Sequence, residues 1–79
     1  MPEPTEVEVR VGQGGVITPI RFRWQGVWLQ IAQIGRHWSD EAGDHWLVLP
    51  DRPAQVFELI RSPEERWQIK SSGPLQNIV

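Results

Sequence analysis

Residues 21–28 read Arg-Phe-Arg-Trp-Gln-Gly-Val-Trp, placing two arginines and two tryptophans within eight positions. Guanidinium groups neutralise phosphates and an indole offers a stacking platform to an unpaired base, so Arg21, Arg23, Trp28 and the nearby Gln30 are candidates for nucleic-acid or partner binding. The competing interpretation is structural. Arg23 would lie across the Trp28 ring as a cross-strand cation–π pair, worth about 0.5–1 kcal/mol at an exposed site. Binding a nucleic acid depends on neutralising several phosphates, and two or three arginines are few, so an unidentified protein partner is the first expectation and single-stranded nucleic acid the second.

A second group of chemically capable residues lies in 36–46, Arg-His-Trp-Ser-Asp-Glu-Ala-Gly-Asp-His-Trp. His37, His45 and a carboxylate from Asp40, Glu41 or Asp44 would make a ligand set for a divalent metal. Ser39 with a histidine and an aspartate would supply the residue types of a nucleophilic triad. Against both, the spacing matches no ligand motif, and a short surface loop has little with which to build a rigid pocket and an oxyanion hole. Gly12-Gln13-Gly14-Gly15 likewise has neither the spacing nor the terminal Lys-Ser/Thr of a phosphate-binding loop. The expectation is a chain without enzymatic activity, metal or cofactor.

The elements that must position these residues follow from periodicity. If Gln25-Gly26 forms a two-residue turn, Trp24 lies opposite Val27, Arg23 opposite Trp28, Phe22 opposite Leu29, Arg21 opposite Gln30 and Ile20 opposite Ile31. Ile20, Phe22, Trp24, Val27, Leu29 and Ile31 then share one apolar face, and Arg21, Arg23, Trp28 and Gln30 share the reverse. A slip of one residue would mix the faces, so the pattern itself selects the register. Upstream, Thr5, Val7, Val9 and Val11 alternate with Glu6, Glu8 and Arg10, the signature of a half-buried strand whose charged outer face suits an edge. Downstream, Ile34 and Trp38 share the parity of Trp28, which calls for a bulge or bend near 31–33. A hairpin across 36–46 would bring Trp38 near His45 and His37 near Trp46, with residues 39–44 as a solvated loop.

The last third admits two readings. Ser62-Pro63-Glu64-Glu65 fits a capping box with proline at the first helical position. It equally fits a type I turn between two strands rich in Val, Phe, Ile and Trp, and the alternation of Phe57 with Leu59 and of Trp67 with Ile69 favours the hairpin. The whole is expected to be all-β, a five- to six-stranded antiparallel meander curled into an open SH3-like or OB-like barrel. Residues 1–4 are expected to be disordered, 5–71 to form the domain, and 72–79 to be a flexible tail, whose apolar end at 75–79 could serve as a docking peptide.

Composition bounds the remaining classes. A chain of 79 residues is one domain, and at this size about 60% of the unfolded surface is buried, so large side chains must carry the core. Its five tryptophans meet that need, each burying roughly 150–250 Å². Cysteine is absent, which excludes disulfides and thiolate metal ligands. The formal charge of −2 is too small to mark an acidic or basic partner, although Arg21, Arg23 and Arg36 precede the acidic stretch of Asp40, Glu41, Asp44 and Asp51. No apolar run approaches the ~20 residues of a membrane helix, and the N-terminus has no signal-peptide pattern, so cytoplasmic residence is the expectation.

The residues Pro19-Ile20-Arg21-Phe22-Arg23-Trp24-Gln25-Gly26, followed by Trp38, Trp46, Phe57-Glu58-Leu59 and Trp67, resemble a family of small bacterial domains of uncharacterised role. Its members occur alone or as a C-terminal appendage on proteins related to the Y-family translesion DNA polymerases. The likeness spans about residues 19–70 and brings no catalytic residue with it. It implies a context, namely an accessory or docking module beside DNA repair proteins.

Overall fold

The computed structural model describes residues 2–74; Met1 and the candidate docking peptide at 75–79 lie outside them. Seven strands form one antiparallel sheet: β1 (Glu3–Pro4), β2 (Val7–Val11), β3 (Ile17–Trp24), β4 (Val27–Asp40), β5 (Gly43–Pro50), β6 (Gln55–Arg61) and β7 (Trp67–Pro74). Their order is β1-β7-β6-β5-β4-β3-β2, so every consecutive pair from β2 to β7 is adjacent, as in a meander. β1 and β2 stand at opposite ends of that order although only Thr5 and Glu6 separate them. The sheet must therefore curl until its two ends meet. Thr5 carries the junction: its N–H donates to the Trp67 carbonyl (3.2 Å) and its hydroxyl to the Arg23 carbonyl (2.5 Å), while the Arg23 N–H donates to the Glu6 carbonyl (3.0 Å). The result is a small barrel-like all-β fold, with no α-helix among the described residues.

The hairpin turns follow from local chemistry. Gln25 and Gly26 both take positive φ (51° and 80°), the two-residue arrangement whose twist matches that of the flanking strands. Ser62 to Arg66 makes the type of turn expected of Ser-Pro-Glu-Glu. The Glu65 N–H donates to the Ser62 carbonyl (2.8 Å), the Arg66 N–H to the Ser62 hydroxyl (3.1 Å), and Ser62 N–H to the Arg66 carbonyl (2.9 Å). The helix alternative for this region is thereby excluded. The parity change anticipated in β4 is also present, as register shifts between Ile31 and Gln33 and between Ile34 and His37.

The core consists of Phe22, Trp46, Val48, Phe57, Leu59 and Ile69, with Val7, Trp24, Leu29, Ile31, Ile34 and Trp67 packed against it. Phe57 is its centre, with its ring 5.1 Å from Phe22 and 4.9 Å from Trp24, centroid to centroid. Trp46 meets Trp67 at 5.3 Å. β6 is buried on both faces, since Val56, Glu58 and Ile60 are as hidden as Phe57 and Leu59.

Three boundaries differ from expectation. Residues 3 and 4, expected to be disordered, pair with Ile69 and Gln68, because the start of β7 offers unpaired backbone groups there and proline is tolerated at a sheet edge. Residues 72–74, expected in the tail, continue β7, with Val56 opposite Gly73 and Gln55 opposite Pro74. Residues 39–44, expected as a loop, lie in β4 and β5 except for a tight Glu41-Ala42 turn, where the Asp40 carboxylate accepts from the Ala42 N–H (2.8 Å).

Candidate functional site

The β3–β4 hairpin has the register that its faces require: Arg21 opposite Gln30, Phe22 opposite Leu29, Arg23 opposite Trp28 and Trp24 opposite Val27. Phe22 is fully buried, and Trp24 and Leu29 pack on the core. Val27 does not follow its neighbours inward, being 58% exposed. The β4–β5 pairing begins only at Ile31, so Val27, at the hairpin tip, stands beyond the end of β5 while Leu29 still reaches the core.

On the reverse face Arg21, Arg23, Trp28 and Gln30 come together, but not in the pairing expected. Arg21, and not Arg23, lies over the Trp28 ring, its guanidinium carbon 4.8 Å from the centroid. The twist of a two-stranded ribbon brings diagonal side chains together, and Arg21 is the diagonal neighbour of Trp28. The same guanidinium forms a two-pronged bond to Glu8 on β2, Nε to Oε1 at 2.8 Å and Nη2 to Oε2 at 3.1 Å. Arg23 bonds instead to Glu6 through Nη1, at 3.1 Å. Gln30 reaches the Ile20 carbonyl weakly, at 3.5 Å. Glu8, Arg21 and Trp28 therefore form a ladder across β2, β3 and β4, with the indole 38% exposed at its end. Beside it runs a shallow depression of about 620 Å³ lined by Pro4, Glu8, Trp28, Glu65, Arg66 and Trp67.

The charge balance of this face matters to what it can bind. Each arginine on it already has a carboxylate, so the pairs Arg21–Glu8 and Arg23–Glu6 carry no net charge between them. At these exposures each ion pair stabilises the fold by no more than about 1 kcal/mol. The larger effect of the Arg21–Glu8 pair is to hold that guanidinium against the Trp28 ring.

The 36–46 segment is arranged differently from either reading of it. His37 pairs with Trp46 and Trp38 with His45, as the hairpin requires. Adjacent positions on a strand face opposite ways, so His37 and His45 lie on opposite sides of the sheet and cannot converge on one ion. Each imidazole stacks on the tryptophan across from it, His37 on Trp46 at 4.6 Å and His45 on Trp38 at 4.9 Å. Arg36 covers the Trp38 ring at 5.3 Å. Ser39 bonds to Asp44 (2.5 Å) and not to a histidine, so no triad is assembled.

His45 is buried and lies between two carboxylates, Nδ1 to Glu58 Oε2 at 2.7 Å and Nε2 to Asp40 Oδ1 at 2.8 Å. Lys70 approaches the other Glu58 oxygen at 3.7 Å. A neutral imidazole has one N–H, whereas two carboxylate acceptors want two donors, so the geometry selects the imidazolium. Burial works against that charge, but the hydrogen bonds and charges of Asp40 and Glu58 outweigh it and raise the His45 pKa above its ordinary value. The hydrogen bond from His45, aided by the Ala42 N–H, lowers the Asp40 pKa. Every buried side-chain polar atom among the described residues finds a partner. Glu58 is the member sequence reasoning missed. Its signal was a lone charge inside Val-Phe-Glu-Leu-Ile, a run too apolar for an exposed strand.

Comparison with known protein families, curated proteins and solved structures finds no match to this chain. Among the described residues no helix is long and apolar enough to cross a membrane.

Proposed function

We propose that this chain is a binding module whose partner is a protein, met through the Trp28 end of the Glu8–Arg21–Trp28 ladder and the depression beside it. The observation that carries this reading is a large aromatic ring, 38% exposed, held by an arginine that is itself fixed by two hydrogen bonds. Tryptophan and arginine dominate the energetics of protein interfaces, and a side chain ordered before binding loses less entropy when the partner arrives. Single-stranded nucleic acid is the less favoured ligand, since counterion release needs several unpaired cations, and Arg21 and Arg23 are paired, which leaves Arg66 as the one arginine of the depression without an ion pair among the described residues. The resemblance of residues 19–70 to domains appended to Y-family polymerase-like proteins supports a partner in DNA repair.

Two measurements test the proposal. A photo-crosslinking amino acid at Glu65, which lines the depression beside Trp28, expressed in the native host, is expected to give a discrete protein adduct that the same group at Gln13, on the far hairpin tip, does not give; equal labelling from both positions would overturn it. Titration of single-stranded DNA at low salt is expected to leave tryptophan fluorescence unchanged. Saturable, salt-dependent quenching that disappears in Arg21→Ala/Arg23→Ala would assign the face to nucleic acid instead.

A further inference from the structure

β2 ends the sheet order, so its outer edge has no strand beside it among the described residues. The bonds on its inner side establish which backbone groups that edge presents. Arg23 N–H donates to the Glu6 carbonyl, and Gly12 N–H to the Val16 carbonyl. The register shift between Glu8 and Val9 places the extra residue, Ile20, in β3 and leaves β2 regular. The even-numbered residues of β2 therefore bond to β3, and Val7, Val9 and Val11 turn their N–H and C=O groups outward.

The side chains along this edge are self-complementary. Glu8 and Arg10 flank Val9 symmetrically and both are exposed; Arg10 forms no ion pair among the described residues, and Glu8, which accepts from Arg21 of its own chain, keeps lone pairs for a second donor. We propose that this edge pairs antiparallel with the same edge of a second copy of the chain, about a two-fold axis at Val9. In that register Glu8 stands opposite Arg10 of the partner subunit, Arg10 opposite Glu8 of the partner subunit, and Val7 opposite Val11 of the partner subunit. The backbones then join through the outward groups of Val7, Val9 and Val11, each donating to and accepting from its counterpart. Val11, which is 64% exposed in one copy, comes to lie beside a Val7 that packs on a core. Natural edge strands are commonly protected from such pairing by proline, lysine or an inward charge. Val7–Val11 has no proline or lysine, and its two charges, Glu8 and Arg10, are of opposite sign and so match rather than repel in this register. A two-fold contact is isologous, so one charge pair is made twice.

The surface involved is small, and association in the range of about 10 µM to 1 mM is expected. The test is sedimentation equilibrium across about 1–500 µM, with amide exchange read at Val7, Val9 and Val11. Wild type is expected to shift from the 9.1 kDa monomer toward twice that mass, and the three amides to gain protection with concentration. Arg10→Glu sets glutamates opposite one another at both ends and is expected to weaken association by roughly tenfold. Val11→Asp, at a site too exposed to disturb folding, is expected to act likewise. A wild type that stays monomeric, a dimer indifferent to both substitutions, or a dimer whose three valine amides gain no protection would each overturn the proposal. The edge shares Glu8 with the ladder proposed above, but both substitutions leave Glu8, Arg21 and Trp28 in place, so the partner crosslink and the sedimentation series report the two proposals separately.

Discussion

Replacing Glu58 by glutamine removes one charge from the Asp40–His45–Glu58 group, in which His45 and Glu58 are buried and Asp40 is exposed, while keeping its shape. The Glu58 side chain is 12% exposed and its Oε2 lies 2.7 Å from His45 Nδ1. A hydrogen bond to a charged group is worth about 1.5–3 kcal/mol, and the glutamine oxygen keeps part of it, so the expected loss is about 2 kcal/mol. The amide NH₂ would then face Lys70, which adds to the loss. Glu58→Ala leaves the imidazolium with Asp40 alone and is expected to cost about 3–5 kcal/mol. For a chain of this size, total stability is on the order of 4–12 kcal/mol, so either change is a large fraction of it.

The pH dependence separates charge from packing. Because the His45 pKa is raised on folding, its contribution is complete below the unfolded histidine value and is lost as pH rises through the higher, folded one. Asp40 has its pKa lowered, so its contribution is present above the unfolded aspartate value and is lost as pH falls through the folded one. Urea unfolding followed by tryptophan fluorescence should show the wild-type advantage over Glu58→Gln at about pH 6, corresponding to roughly 8–16 °C in Tm, and a smaller advantage at about pH 9. A difference below about 0.5 kcal/mol at the lower pH, or one unchanged at the higher, would refute an imidazolium held by Glu58.

Two further substitutions probe the frame that positions these groups. Gly43→Ala is expected to prevent folding or to cost more than about 3 kcal/mol. A Cβ there would stand 2.9 Å from backbone atoms of Arg61 and Ser62, and φ is 129°; loss of near-ultraviolet circular dichroism would report it. Phe57→Ala empties the position between Phe22 and Trp24 and is expected to cost about 3–5 kcal/mol by the same urea titration.

What the sequence made legible is whatever a one-residue shift would have spoiled. Slipping the arms about Gln25-Gly26 would have buried arginines and exposed Phe22, so the register could be read before any coordinate. The pairing of His37 with Trp46 follows in the same way from the turn between them. The positions that escaped have contacts set by distant chain. Nothing near Glu3 and Pro4 indicates that their partners are Ile69 and Gln68. Nothing near Val27 indicates that the neighbouring strand begins too late to cover it. Glu58 escaped because period-two alternation assigns it to solvent, whereas β6 is central and covered on both faces.

That last case joins the fold to its chemistry. β6 is flanked by β5 and β7 and hidden on both sides, and a carboxylate placed there must find donors or cost several kcal/mol. His45 is the residue on β5 that can reach it, and Asp40 reaches the other nitrogen because the turn is only Glu41-Ala42. The acidic cluster and two histidines that suggested a metal site or a triad are thus explained by one buried imidazolium and its counter-charges, with His37 left stacked on the opposite face. The proposed contact with a partner therefore rests on the other arrangement, in which Trp28 stands 38% exposed at the end of a ladder whose arginine is already paired.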